Sequence, residues 1–274
     1  MAQIREAGKP MQTSLRGISN KATQDKRHRF GNLYGLLNVD YLKWCFRQLK
    51  RDASAGIDGV SFSEYQENLE ENLQILVARL KQKNYRAKLV RRQYIPKTGG
   101  KLRPLGIPVT EDKLLQMGVA KILEAIFEQD FLGVSYGYRP RVGAKDAIRE
   151  MTKRLQFGRY SNIVEADIKA FFDTLDHKWL MRMLEERIND KPFLRLIQKW
   201  LKAGILDTSG TVIHPATGTP QGGVVSPILA NVYLRYALDL WFEKIIRKQS
   251  RGEAMVIRYA DDFVCAFEQK RDAE

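Results

Sequence analysis

Residues Met255 to Phe267 read M-V-I-R-Y-A-D-D-F-V-C-A-F, and the reading of this stretch decides the fold. Two apolar runs rich in β-branched and aromatic residues flank Asp261 and Asp262, the pattern of a hairpin with paired carboxylates at or beside its turn. Adjacent acids between strands repel each other and gain nothing from burial, so something must neutralise them. Mg²⁺ does this well, because it is held by one or two carboxylates together with substrate phosphates. An isolated Asp-Asp is more often a solvated turn; the rest of the chain overturns that reading here.

A further acid lies in S-N-I-V-E-A-D-I-K-A-F-F-D, Ser161 to Asp173. Ile163, Val164, Ala166 and Ile168 predict a short buried strand carrying Asp167, broken at Phe171-Phe172-Asp173. A charge in a buried strand is expensive unless it is paired or metal-bound. Asp167 and Asp261 would then hold two cations ~3.5–4 Å apart, with Asp262 close by, the arrangement that stabilises in-line phosphoryl displacement. Taken alone, Asp167 reads equally well as a strand-end acid or a helix cap.

The 274 residues include 46 Lys+Arg against 32 Asp+Glu, for a formal charge of +14. Such a balance points to nucleic acid, although an anionic membrane surface also fits. No apolar run approaches the ~20 residues of a membrane span, and the N-terminus lacks the apolar core of a signal peptide. Cys45 and Cys265 can make neither a disulfide framework nor a zinc site, and Cys265 falls in a strand that should be buried. These features predict a soluble protein of a reducing compartment, cytoplasmic and RNA-associated. The charge is clustered. Residues 79 to 103 hold ten cations and no acid, where a solvated helix face normally alternates signs. Phosphate contact is the better reading for Arg79, Lys81, Lys83, Arg86, Lys88, Arg91 and Arg92. Residues 1 to 30 carry seven cations against two acids and read as a basic arm, disordered unless bound.

Along the chain, helices are expected over Val39–Leu49 and Phe62–Lys83, with a turn-rich loop at Ala55–Val60 between them. A glycine-closed hairpin follows within 86–108. Next comes a helix from Thr110, with Thr110 as its cap. Lys178–Ile188 and Pro192–Lys202 suggest two more helices. Thr219-Pro220-Gln221-Gly222-Gly223 leads into Ser226-Pro227, a helix start with proline in the first turn. The helix after it shows a stripe of Leu229, Val232, Tyr233, Tyr236, Ala237 and Leu240, read as core. No G-x-x-x-x-G-K-[ST] is present, so this is not a P-loop.

Together these segments resemble the reverse transcriptases of group II intron-encoded proteins, over roughly residues 30 to 274. The resemblance rests on blocks in the family's order: I-P-K-T-G-G-K-L-R-P-L-G-I-P at 95–108, S-Y-G-Y-R-P at 135–140, A-D-I-K-A-F-F-D at 166–173, G-T-P-Q-G-G-V-V-S-P-I-L-A-N at 218–231 and Y-A-D-D at 259–262. A-G-I-D-G-V at 55–60 looks like a loop of this lineage that retroviral enzymes lack. The resemblance implies an α+β right-hand polymerase whose antiparallel palm sheet is backed by helices. It divides the chain into a basic extension at 1–30, fingers at 31–160 and palm at 161–274. It also implies a thumb, a maturase region and often a nuclease domain beyond these residues, so that the stretch by itself polymerises weakly or not at all.

Residue by residue, the resemblance makes Asp167, Asp261 and Asp262 the acids that hold two Mg²⁺ ions, with the backbone at Ile168 meeting the metal-bound triphosphate. Lys97 and Arg103 hold the incoming nucleotide's phosphates, Phe172 screens the sugar's 2′ carbon, and Gln221 lies against the nascent base pair. The implied partners are an intron RNA template and primer, dNTP and, in the parent protein, target DNA, with no membrane; homodimerisation stays open. Two other readings share these residues. One is an RNA-binding splicing cofactor without significant polymerase activity, and the other a CRISPR-associated or other bacterial reverse transcriptase.

Overall fold

The computed structural model describes residues 9–96, 99–100 and 102–274. Its main helices are α1 (Lys9–Gln24), α2 (Val39–Phe46), α3 (Phe62–Glu67), α4 (Leu69–Lys81), α5 (Thr110–Phe127), α6 (Ala144–Phe157), α7 (Phe171–Thr174), α8 (His177–Glu185), α9 (Lys191–Leu201) and α10 (Ser226–Leu234), with short helical turns at Arg247–Gln249 and Lys270–Ala273. Two sheets of four strands accompany them. The first orders β1 (Val90–Pro96), β2 (Leu102–Ile107), β5 (Ile205–Leu206) and β6 (Val212–Ile213) as β2-β1-β5-β6. The second orders β3 (Ser135–Tyr136), β4 (Asn162–Asp167), β7 (Ala254–Tyr259) and β8 (Asp262–Phe267) as β3-β7-β8-β4. This second sheet is antiparallel except where the short β3 runs parallel to β7.

α5 is the spine of the core. Its apolar residues recur all round the helix, and Leu114, Leu115, Val119, Ile122, Leu123, Ile126 and Phe127 are all buried; a helix apolar on every side belongs inside. α1, α2, α3 and α10 pack around it. One apolar cluster runs from Ala22 to Leu238.

The N-terminal arm is not disordered where it is described. α1 occupies most of it, with Leu15 and Ile18 packed on the core and Ala22 buried. Arg187, itself buried, pairs with buried Asp130 at 3.0 Å and donates to the carbonyls of Ala22 (3.3 Å) and Lys26 (2.8 Å). It thereby satisfies a carbonyl that the end of α1 leaves open. Few apolar residues sufficed, because a buried guanidinium far along the chain supplies the anchoring.

Other expectations shift for local reasons. The helix expected over Phe62–Lys83 breaks at Asn68 (φ −114°, ψ 36°), with the Asn72 amide donating to the Tyr65 carbonyl across the break. Thr110 does not cap α5; its hydroxyl donates to the Val60 carbonyl at 2.7 Å, and Val109 holds the cap position. The strand carrying Asp167 is not buried. β4 is the sheet edge, and Ile163 is 59% exposed. The stripe after Ser226 holds for Leu229 and Val232, which are buried, and for Tyr233 and Tyr236, which pack partly buried on the core, then slips at Ala237. π-helical turns over Arg235–Asp239 and Phe242–Ile246 bury Leu238 and Asp239 and leave Ala237 exposed.

Candidate active site

β7 and β8 pair with Tyr259 opposite Asp262, so Ala260 and Asp261 form a two-residue loop. Ala260 has φ +56°, the positive value such tight loops demand at a central position. On the other side of β8, Asp262 pairs with Asp167 of β4. The hairpin expected from the sequence therefore forms and brings all three acids to one end of one sheet. Asp261 is half-buried, and burial pushes its carboxyl above the usual carboxylate range; the charges of Asp262 and Asp167 push the same way, and Arg103 opposes them. Arg103, exposed on β2, thus reaches the electrostatic field of the acids from the first sheet.

Phe172 lies at the rim of the core, 9% exposed, with edge-on contacts to Phe171 (centroids 5.6 Å apart) and Tyr138 (6.4 Å). Burial raises the Tyr138 hydroxyl, and the charges of Asp261 and Asp262 add to the rise. Tyr138, which sequence reasoning did not single out, therefore touches Phe172 and feels the charge of the acids. Ile168 packs partly buried beneath, its carbonyl accepting from the Phe171 amide at 3.2 Å.

The glycine-rich segment ties α7 and the residue that follows it to β2 of the first sheet. The Thr219 amide donates to the Phe172 carbonyl and the Gly218 amide to that of Leu175, both at 2.7 Å, while the Gly106 amide on β2 donates to the Gln221 carbonyl at 2.6 Å. Gly222 has φ +111°, and a Cβ there would stand 2.7 Å from the Gly106 carbonyl oxygen. Gln221 is half-buried at this junction. Lys97 lies outside the described residues.

The basic stretch is less free than its acid-free sequence suggests. Arg79 pairs with Glu111, Lys88 with Asp58 at 3.1 Å, and Arg91 donates to the Ala55 carbonyl at 2.7 Å. The partners come from distant segments, which a local charge count cannot see. Lys81, Lys83 and Arg86 are exposed and Arg92 is half-buried.

The donor set suits a hard cation. Three carboxylates, two of them exposed and directly opposed, offer only oxygen ligands, which Mg²⁺ prefers. Among the described residues no group of three or more His, Cys, Asp or Glu, these three acids included, forms a metal-holding set by itself. Water and phosphate oxygens would complete the coordination, as is usual for this ion.

Residues 95–274 match the family model described as reverse transcriptase (RNA-dependent DNA polymerase). The chain belongs to the reverse transcriptase family. Among its relatives, protein YkfC of Escherichia coli (strain K12) is 37% identical over 76% of this chain and 62% of its own length. Group II intron-encoded protein LtrA of Lactococcus lactis subsp. cremoris is 37% identical over 89% of this chain and 40% of its own. The resemblance to group II intron-encoded reverse transcriptases thus holds, and the chain spans only part of the length of these relatives. A solved partial Cas6-RT-Cas1–Cas2 complex shares the fold, with TM-score 0.53 and 23% identity over 88% of this chain and 39% of that one. Among the described residues no helix is long and apolar enough to cross a membrane.

The sequence reading missed Arg258, Asp239 and Asn231, which are fully buried around the acid-bearing hairpin. The signal was present. An arginine within the apolar run M-V-I-R-Y must find partners, since a lone buried charge is prohibitively costly.

Proposed function

We propose that the chain is the fingers and palm of a group II intron-encoded RNA-directed DNA polymerase, binding an intron RNA template with its primer and adding dNTPs, in a parent protein that also assists splicing. The carrying observation is the placement of Asp261 in the loop beside the directly paired Asp167 and Asp262. Two divalent cations bound there would stabilise the attacking and leaving oxygens as the primer 3′-oxygen displaces pyrophosphate from the dNTP.

The chain's own residues position the reactants. Asp167, Asp261 and Asp262 hold the ions, with the backbone at Ile168 facing the triphosphate. Arg103 (with Lys97) neutralises the triphosphate, and Phe172, braced by Tyr138, screens the sugar. Gln221 is set against the base pair by its junction with Gly106. A cavity of about 690 Å³ between α6 and the sheet, lined in part by Ile148, Met151, Asp167 and Asp262, opens beside the acids and gives room for the primer end. Lys81, Lys83 and Arg86 contact the RNA backbone, supplying affinity without sequence choice.

Magnesium-dependent primer extension on an RNA template, measured beside RNA affinity, tests this reading. Extension supports it. Tight RNA binding with no nucleotide incorporation at any magnesium concentration supports the splicing-cofactor reading instead.

A further inference from the structure

Arg258 sits within β7 with no exposed surface, and all five of its guanidinium N–H groups are engaged. Nε donates to Asp239 Oδ1 at 2.7 Å. Nη2 donates to Asp239 Oδ2 at 2.7 Å and to Ser135 Oγ at 2.6 Å. Nη1 donates to Asn231 Oδ1 at 3.1 Å and to the Ala260 carbonyl at 2.8 Å. Five N–H groups are all that a guanidinium has, so the fork is saturated.

Ala260 immediately precedes Asp261. Its amide donates to the Tyr136 carbonyl at 3.0 Å, so both of its backbone polar groups are fixed at a positive φ. The Asn231 side-chain amide donates in turn to the Gly137 carbonyl at 3.0 Å. One network therefore ties three segments together: 135–137, the helical run that follows the glycine-rich loop, and the acid-bearing hairpin.

The helical run is shaped to this purpose. Asn231 and Asp239 are eight residues apart, which in an unbroken α-helix places them about 80° apart around the axis. The wider i→i+5 turn over Arg235–Asp239 reduces that offset, so both side chains meet one guanidinium. A buried ion pair is weak grounds for stability, since an apolar substitute of equal volume is often as stable. Its planar fork does impose orientation, which a lysine with three donors on a flexible stem does not.

We propose that Arg258 is a positioning residue for the metal-site acids, acting through the Ala260 carbonyl to set where Asp261 and Asp262 present their carboxylates. This rests on the reading of those acids as the cation site.

The test is Mn²⁺ binding followed by electron paramagnetic resonance, together with single-nucleotide incorporation, for wild type, Arg258→Lys, Asn231→Ala, Ser135→Ala and Asp261→Asn. Folding is checked by thermal melts and RNA affinity by filter binding. Folded Arg258→Lys and Asn231→Ala weaken Mn²⁺ binding by about tenfold or more and lower kcat similarly, as loss of an outer-shell partner does, while RNA affinity and the dNTP KM stay within about threefold of wild type. Ser135→Ala, which removes one bond to Arg258 but leaves the Asn231 link to the Gly137 carbonyl in place, falls between them and wild type. If Arg258→Lys does not fold, Asn231→Ala decides. Wild-type Mn²⁺ affinity and kcat in the folded variants overturn the proposal and leave Arg258 a structural pin. If instead Asp261→Asn binds Mn²⁺ as wild type does, the reading of the acids themselves fails, an outcome distinguishable from failure of the link to Arg258.

Discussion

Asp167 and Asp262 face each other across the β4–β8 register, one on the sheet's edge strand and the other at the first position after a two-residue loop. Opposed like charges on neighbouring strands destabilise the sheet in the absence of a counter-ion. Mg²⁺ should therefore raise the melting temperature of the wild-type chain. Asp261→Asn should abolish that rise while leaving the metal-free protein at least as stable as wild type. Thermal melts with and without Mg²⁺ check both.

Phe172 meets the core on one side and Tyr138 on the other. Phe172→Val should cost about 1–3 kcal/mol of stability by cavity formation. In folded material it should raise rNTP incorporation relative to dNTP by about tenfold or more, since an apolar wall rejects an added hydroxyl only by shape. Paired kinetics with dNTP and rNTP on one template measure this, and unchanged discrimination would reduce Phe172 to a core residue.

The basic arm is held by packing and by Arg187, so it affects stability as well as charge. Arg187→Met leaves the buried Asp130 carboxylate without its direct guanidinium partner, with Lys26 at 3.6 Å and the charge of Arg235 as the cations still acting on it. The expected loss is about 3 kcal/mol, because breaking a buried pair strands the remaining charge. Denaturant unfolding reads that loss, and the salt dependence of RNA binding should not change.

Asp112 gives the fold a pH dependence. It is buried beneath β1, accepting from the Tyr85 hydroxyl at 2.6 Å and the Lys88 amide at 3.0 Å, and burial pushes its carboxyl up to about 6 from 3.8. Between those values the folded chain keeps a proton that the unfolded chain has released. The contribution is thus fully present below pH 3.8 and is lost as pH rises through 6. At 1.36 kcal/mol per pKa unit it amounts to about 3 kcal/mol at most. Asp112→Asn should flatten the stability profile over that window relative to wild type, as measured by urea unfolding at a series of pH values.

The hairpin around Asp261, the glycine-closed β1–β2 hairpin and the helices flanking the glycine-rich loop were legible in sequence, because each is specified by local periodicity and turn chemistry. What was not legible depended on partners far along the chain. Residues 79–103 look like a free basic surface until Asp58 and Glu111 fold onto them. The arm looks disordered until Arg187 reaches its carbonyls. Periodicity also assumes an unbroken 3.6-residue turn, so it could not show that π turns after Leu234 carry Asp239 inward to Arg258.

The most direct measurement is incorporation of one dNTP opposite an RNA template in Mg²⁺, followed in a single turnover for wild type and Asp261→Asn at equal RNA occupancy. Wild type should extend the primer by one nucleotide, and the variant should be slower by about 10³-fold or more, as loss of a carboxylate that holds the metals requires. Equal rates for the two proteins would contradict a nucleotidyl-transfer centre at these acids.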